Sequence, residues 1–234
     1  FKLVVFLTEL SLEEFNDFNK RKLCVIGPSG VMTDRWVPTS GADYVSGFQE
    51  HLMPYYGDVR SFGYSSYQWG AAQDQSTSIY DQIVTAEKDL TAYDDFLLMP
   101  SSNNLPTTGV GDVTIDSTTH EVVEVNGLTT TALGGVLGTI NYIYTQNPAA
   151  RIYIANLRRN DNYYESETSQ TRYQDYNDKL LKLCDLLGLK YIDMVKDSNH
   201  NYFTQDAYTY DGHHSNSEGN RVVGLAIRKA IIGV

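Results

Sequence analysis

Lys22-Leu23-Cys24-Val25-Ile26-Gly27-Pro28-Ser29-Gly30 reads as a short apolar strand running into a tight turn that presents a serine. An uninterrupted apolar run of this length, closed by Gly and Pro, is the pattern of a strand buried on both faces. Such strands belong to parallel sheets covered by helices on either side. Working outward, four further short β-rich runs are candidate strands: residues 58–62, 95–99, 151–155 and 190–194.

Between these runs, apolar residues recur at helical spacing. Ile79, Ile83, Ala86 and Leu90 form one stripe, and Leu133, Val136, Leu137, Ile140 and Tyr144 a second. Tyr173, Tyr176, Leu180, Cys184 and Leu187 form a third, closed by Gly188 as a C-cap. A last helix starts near Asn216 or Ser217 and carries Val222, Val223, Ala226, Ile227, Ala230 and Ile231. Residues 43–56, through Val45, Phe48 and Leu52, are also predicted to be helical. Five strands alternating with helices specify an α/β domain of three layers around a five-stranded parallel sheet.

Three segments stand apart from the alternation. Residues 1–21 precede the first strand and read as a lead-in or connector, with Ser11-Leu12-Glu13-Glu14 as a capping box opening a short helix. The domain proper then covers 22–234. Residues 106–127 predict a β-hairpin insertion through Val113-Thr114-Ile115 and 122–125. Residues 157–171 are polar and aromatic, and predict a loop near a site. The chain begins at Phe1 rather than Met, which reads as a processed product or a piece of something longer, such as a surface or virion protein.

Composition narrows the partners. The 234 residues carry 18 Lys and Arg against 29 Asp and Glu, a net charge of -11. That balance repels nucleic-acid phosphates and anionic membrane surfaces. No apolar run approaches the ~20 residues of a membrane span. Cys24 and Cys184, each inside an apolar element, predict two buried thiols. The 18 Tyr, with abundant Ser, Thr, Asn and Asp, point to a sugar-facing, extracellular, cell-surface or virion setting.

In open parallel sheets the working site lies beyond the carboxyl ends of the strands. The residues that follow each predicted strand are therefore informative. Gly27-Pro28-Ser29-Gly30 follows the first, Gly63-Tyr64-Ser65-Ser66 the second and Ser101-Ser102-Asn103-Asn104 the third. Asp211-Gly212-His213-His214-Ser215-Asn216 follows the fifth, before the last helix. A serine, a side-chain amide and an Asp/His pair at one sheet edge are the inventory of acyl transfer. Taken singly, each has a structural reading: Ser29 as a turn residue, Asp211 and His214 as a turn and helix cap, Asn103 as a loop brace. Their joint placement is what points to chemistry. Asp211, His213 and His214 also admit a metal reading, but adjacent side chains diverge and no second cluster completes a shell. No cofactor is predicted.

These segments, in this order, resemble the motif blocks of the SGNH (GDSL-type) hydrolases. The closest block is Asp211-x-x-His214 leading into the final helix. The resemblance implies a flavodoxin-like α/β/α fold and metal-free ester hydrolysis. Ser29 would be the nucleophile, His214 the base and Asp211 its orienting acid. The oxyanion hole would use the backbone N–H of Ser29 and of Ser66 (Gly63 in the alternative register), with the Asn103 amide. Three blocks depart from the family: Pro28 stands where Asp is usual, Ser66 where Gly is usual, and Ser101-Ser102-Asn103-Asn104 replaces Gly-x-Asn-Asp while keeping the donor amide. Tyr64, Tyr67 and Trp69 are candidates for stacking on sugar rings, or for packing on the loop face. The function these features predict is O-deacylation, most simply O-deacetylation, of a carbohydrate or small ester. The competing readings are a non-catalytic glycan-binding module of a surface or phage tail protein, and a lipase or thioesterase of the same family. Arg158 and Arg159, just past the fourth strand, read either as contacts to an anionic substrate group or as surface pairs.

Overall fold

The computed structural model describes residues 18–31, 34–37, 43–71, 78–104 and 109–233. The predicted capping-box helix at 11–14 and residues 106–108 of the insertion lie outside this set.

The main sheet is built from β1 (Lys22–Pro28), β4 (Asp58–Tyr64), β5 (Asp95–Leu98), β8 (Arg151–Ala155) and β9 (Lys190–Ile192). Its order is β4-β1-β5-β8-β9, every pair parallel. Counted among these five strands alone, that is the 2-1-3-4-5 order of flavodoxin-like folds, with the switch point at β1 and β5. Two short antiparallel pairs lie outside the sheet: β2 (Asp34–Val37) with β3 (Asp43–Ser46), and β6 (Val113–Ile115) with β7 (Val122–Glu124).

Strand side chains alternate between faces, and the two faces fill separate cores. Cys24, Ile26, Phe96, Leu98, Ile152 and Ile154 pack with α1 (Ala132–Gln146) and α3 (Glu167–Leu187). Leu23, Val25, Leu97, Tyr153, Ala155 and Ile192 pack against α6 (Ser217–Ile232) and the turn around Phe48 and Leu52. The result is a three-layer α/β/α domain. Both cysteines are free and buried; burial pushes the Cys24 thiol up and the Cys184 thiol up to about 12, so neither is a ready nucleophile.

Three element boundaries differ from the sequence reading. Residues 43–56 are not one helix: Val45 lies in β3, Gly47 is extended, and only Phe48–His51 forms a tight helical turn. Phe48 and Leu52 still reach the core, which is what gave the segment its helical spacing. The stripe at 79–90 contains a single wide turn, Asp81–Thr85, closed by Glu87 in the left-handed region at φ 50°. The strand at 190–194 stops at Ile192, because Asp193 accepts from the Lys196 N–H and caps the short helix α4 (Met194–Asp197).

One buried ion cluster ties the lower edge of the sheet. Asp95, fully buried at the start of β5, accepts three hydrogen bonds from Arg21 and two from Arg151, at 2.5–3.1 Å. Burial works against the charged carboxyl, but the bonds and charges of Arg151 and Arg21 outweigh it and hold its pKa below the usual value. A depressed folded-state pKa stabilises above the unfolded value of about 3.9 and stops doing so as pH falls through the folded value. Asp95→Asn is therefore expected to cost about 3 kcal/mol at neutral pH by chemical denaturation. The gap between variant and parent should narrow below about pH 4.

Candidate active site

β1 delivers Ser29 to the carboxyl edge of the sheet. Gly27 is required where β1 passes β5: a Cβ there would stand 2.7 Å from Val31 Cγ2 and 2.8 Å from Met99 Cβ. Pro28 continues the pairing with β4, opposite Tyr64, but lies beyond Ile26, the last residue paired with β5. Its missing N–H therefore costs no β1–β5 hydrogen bond, and Ser29–Val31 can turn away at once.

The second half of the site is the loop between α5 (Gln205–Tyr208) and α6. It is closed by an antiparallel bridge between Thr209 and Ser215 and by the Tyr210 N–H donating to the His214 carbonyl at 3.1 Å. Asn216 caps α6 by accepting from the Gly219 N–H at 2.9 Å, and its amide donates to the Ala207 carbonyl at 2.8 Å. Inside the loop, Asp211 Oδ1 accepts from the backbone N–H groups of His213 and His214, at 3.0 and 2.7 Å. Gly212 adopts φ 78°, and a Cβ there would collide with the Asp161 carboxylate, so both conformation and space demand glycine.

Asp211, His214 and Ser29 are brought together in one relay. Asp211 Oδ2 lies 2.6 Å from His214 Nδ1, and His214 Nε2 lies 3.0 Å from Ser29 Oγ. The carboxylate makes Nδ1 the protonated nitrogen and leaves Nε2 as acceptor for the serine proton. Burial raises the Asp211 pKa, but the His214 ring and the N–H groups of His214 and His213 outweigh it, so the carboxyl stays ionised well into acid. The Tyr210 ring stacks on His214, with centroids 5.8 Å apart and planes at 17°.

The relay opens into a cleft of about 260 Å³ lined by Ser29, His214 and Asn103 together with Asn160, Asn162 and Arg158 among others. The Asn103 amide donates to the Tyr67 carbonyl at 3.1 Å, which fixes its plane at the cleft wall. Ser66 is not among the described lining residues. It sits in an exposed turn at φ 65°, the left-handed conformation that costs a non-glycine residue about 1–2 kcal/mol.

The aromatic candidates for sugar stacking are placed differently. Trp69 is fully buried and its indole N–H donates to the Met99 carbonyl at 2.8 Å, so it has no face to offer a ligand; it is a core residue. Tyr64 and Tyr67 stack on one another at 5.5 Å, pack on the core, and are not among the described residues lining the cleft. The segment 157–171 is more ordered than a loop: Asn160 caps α2 (Asp161–Tyr164), and Ser166 caps α3. Sequence reasoning missed that α2 buttresses the loop that carries Asp211 and His214. The Asp161 N–H donates to the Gly212 carbonyl at 3.1 Å, and Gln205 donates to the Asp161 carboxylate. The Asn160-Asp161 cap signal was the available clue. His200 is fully buried against the Arg159 carbonyl, 3.1 Å from Nδ1; burial and Arg158 pull its pKa to about 3, so it stays neutral. Among the described residues no group of three or more His, Cys, Asp or Glu is placed to hold a metal ion, and no helix is long and apolar enough to cross a membrane.

Solved structures match this architecture over nearly its whole length. A Lactobacillus plantarum protein superposes with a TM-score of 0.69 at 13% identity, covering 90% of this chain and 96% of its own. A protein from Parabacteroides merdae that carries the name GDSL-like lipase gives 0.62 at 13% identity, covering 91% and 97%. The chain has the SGNH (GDSL-type) hydrolase fold. A Geobacillus acetyl-xylooligosaccharide esterase variant shares it with a TM-score of 0.60 at 15% identity, covering 93% and 96%. No family model and no curated protein sequence matches the chain. At these identities the likeness is one of fold, and in this SGNH fold the Ser29 turn follows β1 while the His214 loop precedes the last helix.

Proposed function

We propose that this protein is a serine esterase that removes an acyl group, most simply acetyl, from a carbohydrate. The observation that carries the reading is the unbroken Asp211–His214–Ser29 relay at the mouth of a cleft. Ser29 Oγ attacks the acyl carbonyl as its proton passes to His214 Nε2. The oxyanion is met by the Ser29 backbone N–H and the Asn103 amide, and Asp211 balances the imidazolium. His214 then protonates the departing sugar oxygen, and a water activated by the same nitrogen releases the acid.

The sugar part of the proposal is supported by the cleft's chemistry. Its size, about 260 Å³, lies just below the ~300–1,000 Å³ of small-molecule clefts, which suits a short acyl chain better than a long one. Five asparagines are among its described lining residues. Asn103, Asn156 and Asn160 are held by bonds to Tyr67, Asp193 and Tyr173, which gives the cleft a fixed polar wall of the kind that meets hydroxyl groups. The acetyl-xylooligosaccharide esterase with the same fold is consistent with this substrate class. The proposal carries with it an extracellular, cell-surface or virion-associated setting.

A screen of acetylated polysaccharides for acetate release tests the reading, with decanoyl esters run alongside. Acetate release, with at least about tenfold higher kcat/KM for acetyl than for decanoyl esters, is expected. Preference for the long chain would make the protein a lipase. Glycan binding without release of either acid would make it a binding module.

A further inference from the structure

Arg158 stands three residues beyond β8, in the wall of the cleft that Ser29 and His214 share. Of the five N–H donors of a guanidinium, two are engaged. Nη2 donates to the His213 carbonyl at 2.8 Å, and Nη1 donates to the Ser215 hydroxyl. Both acceptors are neutral, and among the described residues no carboxylate lies within ion-pair distance of Arg158. Four other described arginines are ion-paired: Arg21 and Arg151 share Asp95, Arg60 meets Asp58, and Arg221 meets Glu218. Arg159 and Arg228 instead lie over the rings of Tyr163 and Tyr55, so Arg158 stands apart by facing the cleft. The Asp211 carboxylate acts on Arg158 from farther off, and it is already bonded to His214. Burial pulls the Arg158 pKa to about 10, so the group stays cationic at neutral pH while partly stripped of water.

The rest of the cleft agrees. The chain holds 29 acidic residues against 18 basic ones, yet no Asp or Glu is among the described residues that line this cleft. Its titratable lining is Arg158, His213 and His214. Among its described residues, the cleft of a strongly anionic protein thus presents a guanidinium and no carboxylate, and Asp211, which acts on Arg158 from farther off, is already bonded to His214. Desolvating a charge without a partner is costly, and a ligand that supplies the partner recovers that cost. Low-dielectric walls also concentrate the local positive potential against the protein's overall field.

We infer that the cleft takes an acyl ester whose carrier bears a carboxylate near the ester, as in an O-acylated uronic acid, with Arg158 as the counter-ion. The ester part rests on the function proposed above; the carboxylate part rests on Arg158 and on the absence of Asp and Glu among the described lining residues. A planar carboxylate suits the guanidinium's three remaining donors better than a hydroxyl does.

The test compares two substrates on the unmodified protein: an acetylated methyl hexopyranoside and the matching acetylated methyl hexopyranosiduronate. They differ only in a hydroxymethyl against a carboxylate. The uronate is expected to have kcat/KM at least about tenfold higher at low salt, mostly through KM, and the advantage should shrink as salt is added. Because Arg158 also holds the loop that carries His214, Arg158→Gln is expected to slow both substrates, so the quantity read is their ratio. That ratio should fall toward one in Arg158→Gln and survive in part in Arg158→Lys. Equal kcat/KM for the two sugars on the unmodified protein would overturn the inference. Should neither be hydrolysed, the esterase reading fails, and calorimetry with the unacylated methyl uronide decides the carboxylate site by itself. Binding weakened about tenfold by Arg158→Gln would support the site; absence of binding would remove it.

Discussion

Replacing Ser29 by alanine is expected to lower kcat for acetyl-ester hydrolysis by about 10⁴–10⁶-fold while leaving the unfolding transition where it was. The size follows from what the hydroxyl does. With Oγ gone no covalent acyl intermediate forms, and His214 Nε2 loses the acceptor geometry set by the 3.0 Å bond. What persists is the cleft and its amide donors, which alone give a modest rate over water. Stability is expected to change little, because Ser29 is only half-buried and alanine leaves its backbone turn intact. Paired measurements of initial rate and thermal midpoint separate loss of chemistry from loss of fold. Activity within tenfold of the parent would remove Ser29 from the mechanism altogether.

Most of the fold was legible because its information is local. The five strands are apolar runs whose alternate residues feed two cores, Cys24 and Ile26 on one side, Leu23 and Val25 on the other. The long helices announce themselves by stripe and cap, as Asn216 and Gly188 illustrate. Where reading went astray, a spacing had two physical causes. Phe48 and Leu52 are both buried and four apart, as in a helix, but a single tight turn after an extended Gly47 achieves the same burial.

The site divides along the same line. Asp211 and His214 are three residues apart and orient each other through a turn they share, so the motif is written in the chain. Ser29 was placed by where its strand ends. The roles of Trp69 and Arg158 were not legible, since each depends on contacts far along the chain. An aromatic after a strand stacks on ligand or core according to what covers it, and here Met99, 30 residues away, takes the indole N–H. Arg158 meets the His214 loop across 55 and 57 residues. No local pattern encodes such a meeting.

Asp211→Asn is the sharper probe of the relay, because it changes one atom's chemistry and little else. The Asn Oδ1 can still accept from the backbone N–H groups of His213 and His214, so the turn is expected to keep its shape. The second oxygen, 2.6 Å from His214 Nδ1, becomes an amide nitrogen that donates. Nδ1 must then accept, the ring proton moves to Nε2, and that nitrogen can no longer take the proton of Ser29. The imidazolium formed during the reaction also loses its counter-charge. Both effects act on the chemical step, so kcat is expected to fall by about 10⁴-fold with KM nearly unchanged. Asp211→Ala removes the loop's internal acceptors as well and should add a loss of stability that the Asn variant does not show. A fall in kcat of less than tenfold in Asp211→Asn would mean that the imidazole is held by its other neighbours. The Tyr210 ring stacked on His214 and the Arg158 bonds to His213 and Ser215 would then be the groups that orient it.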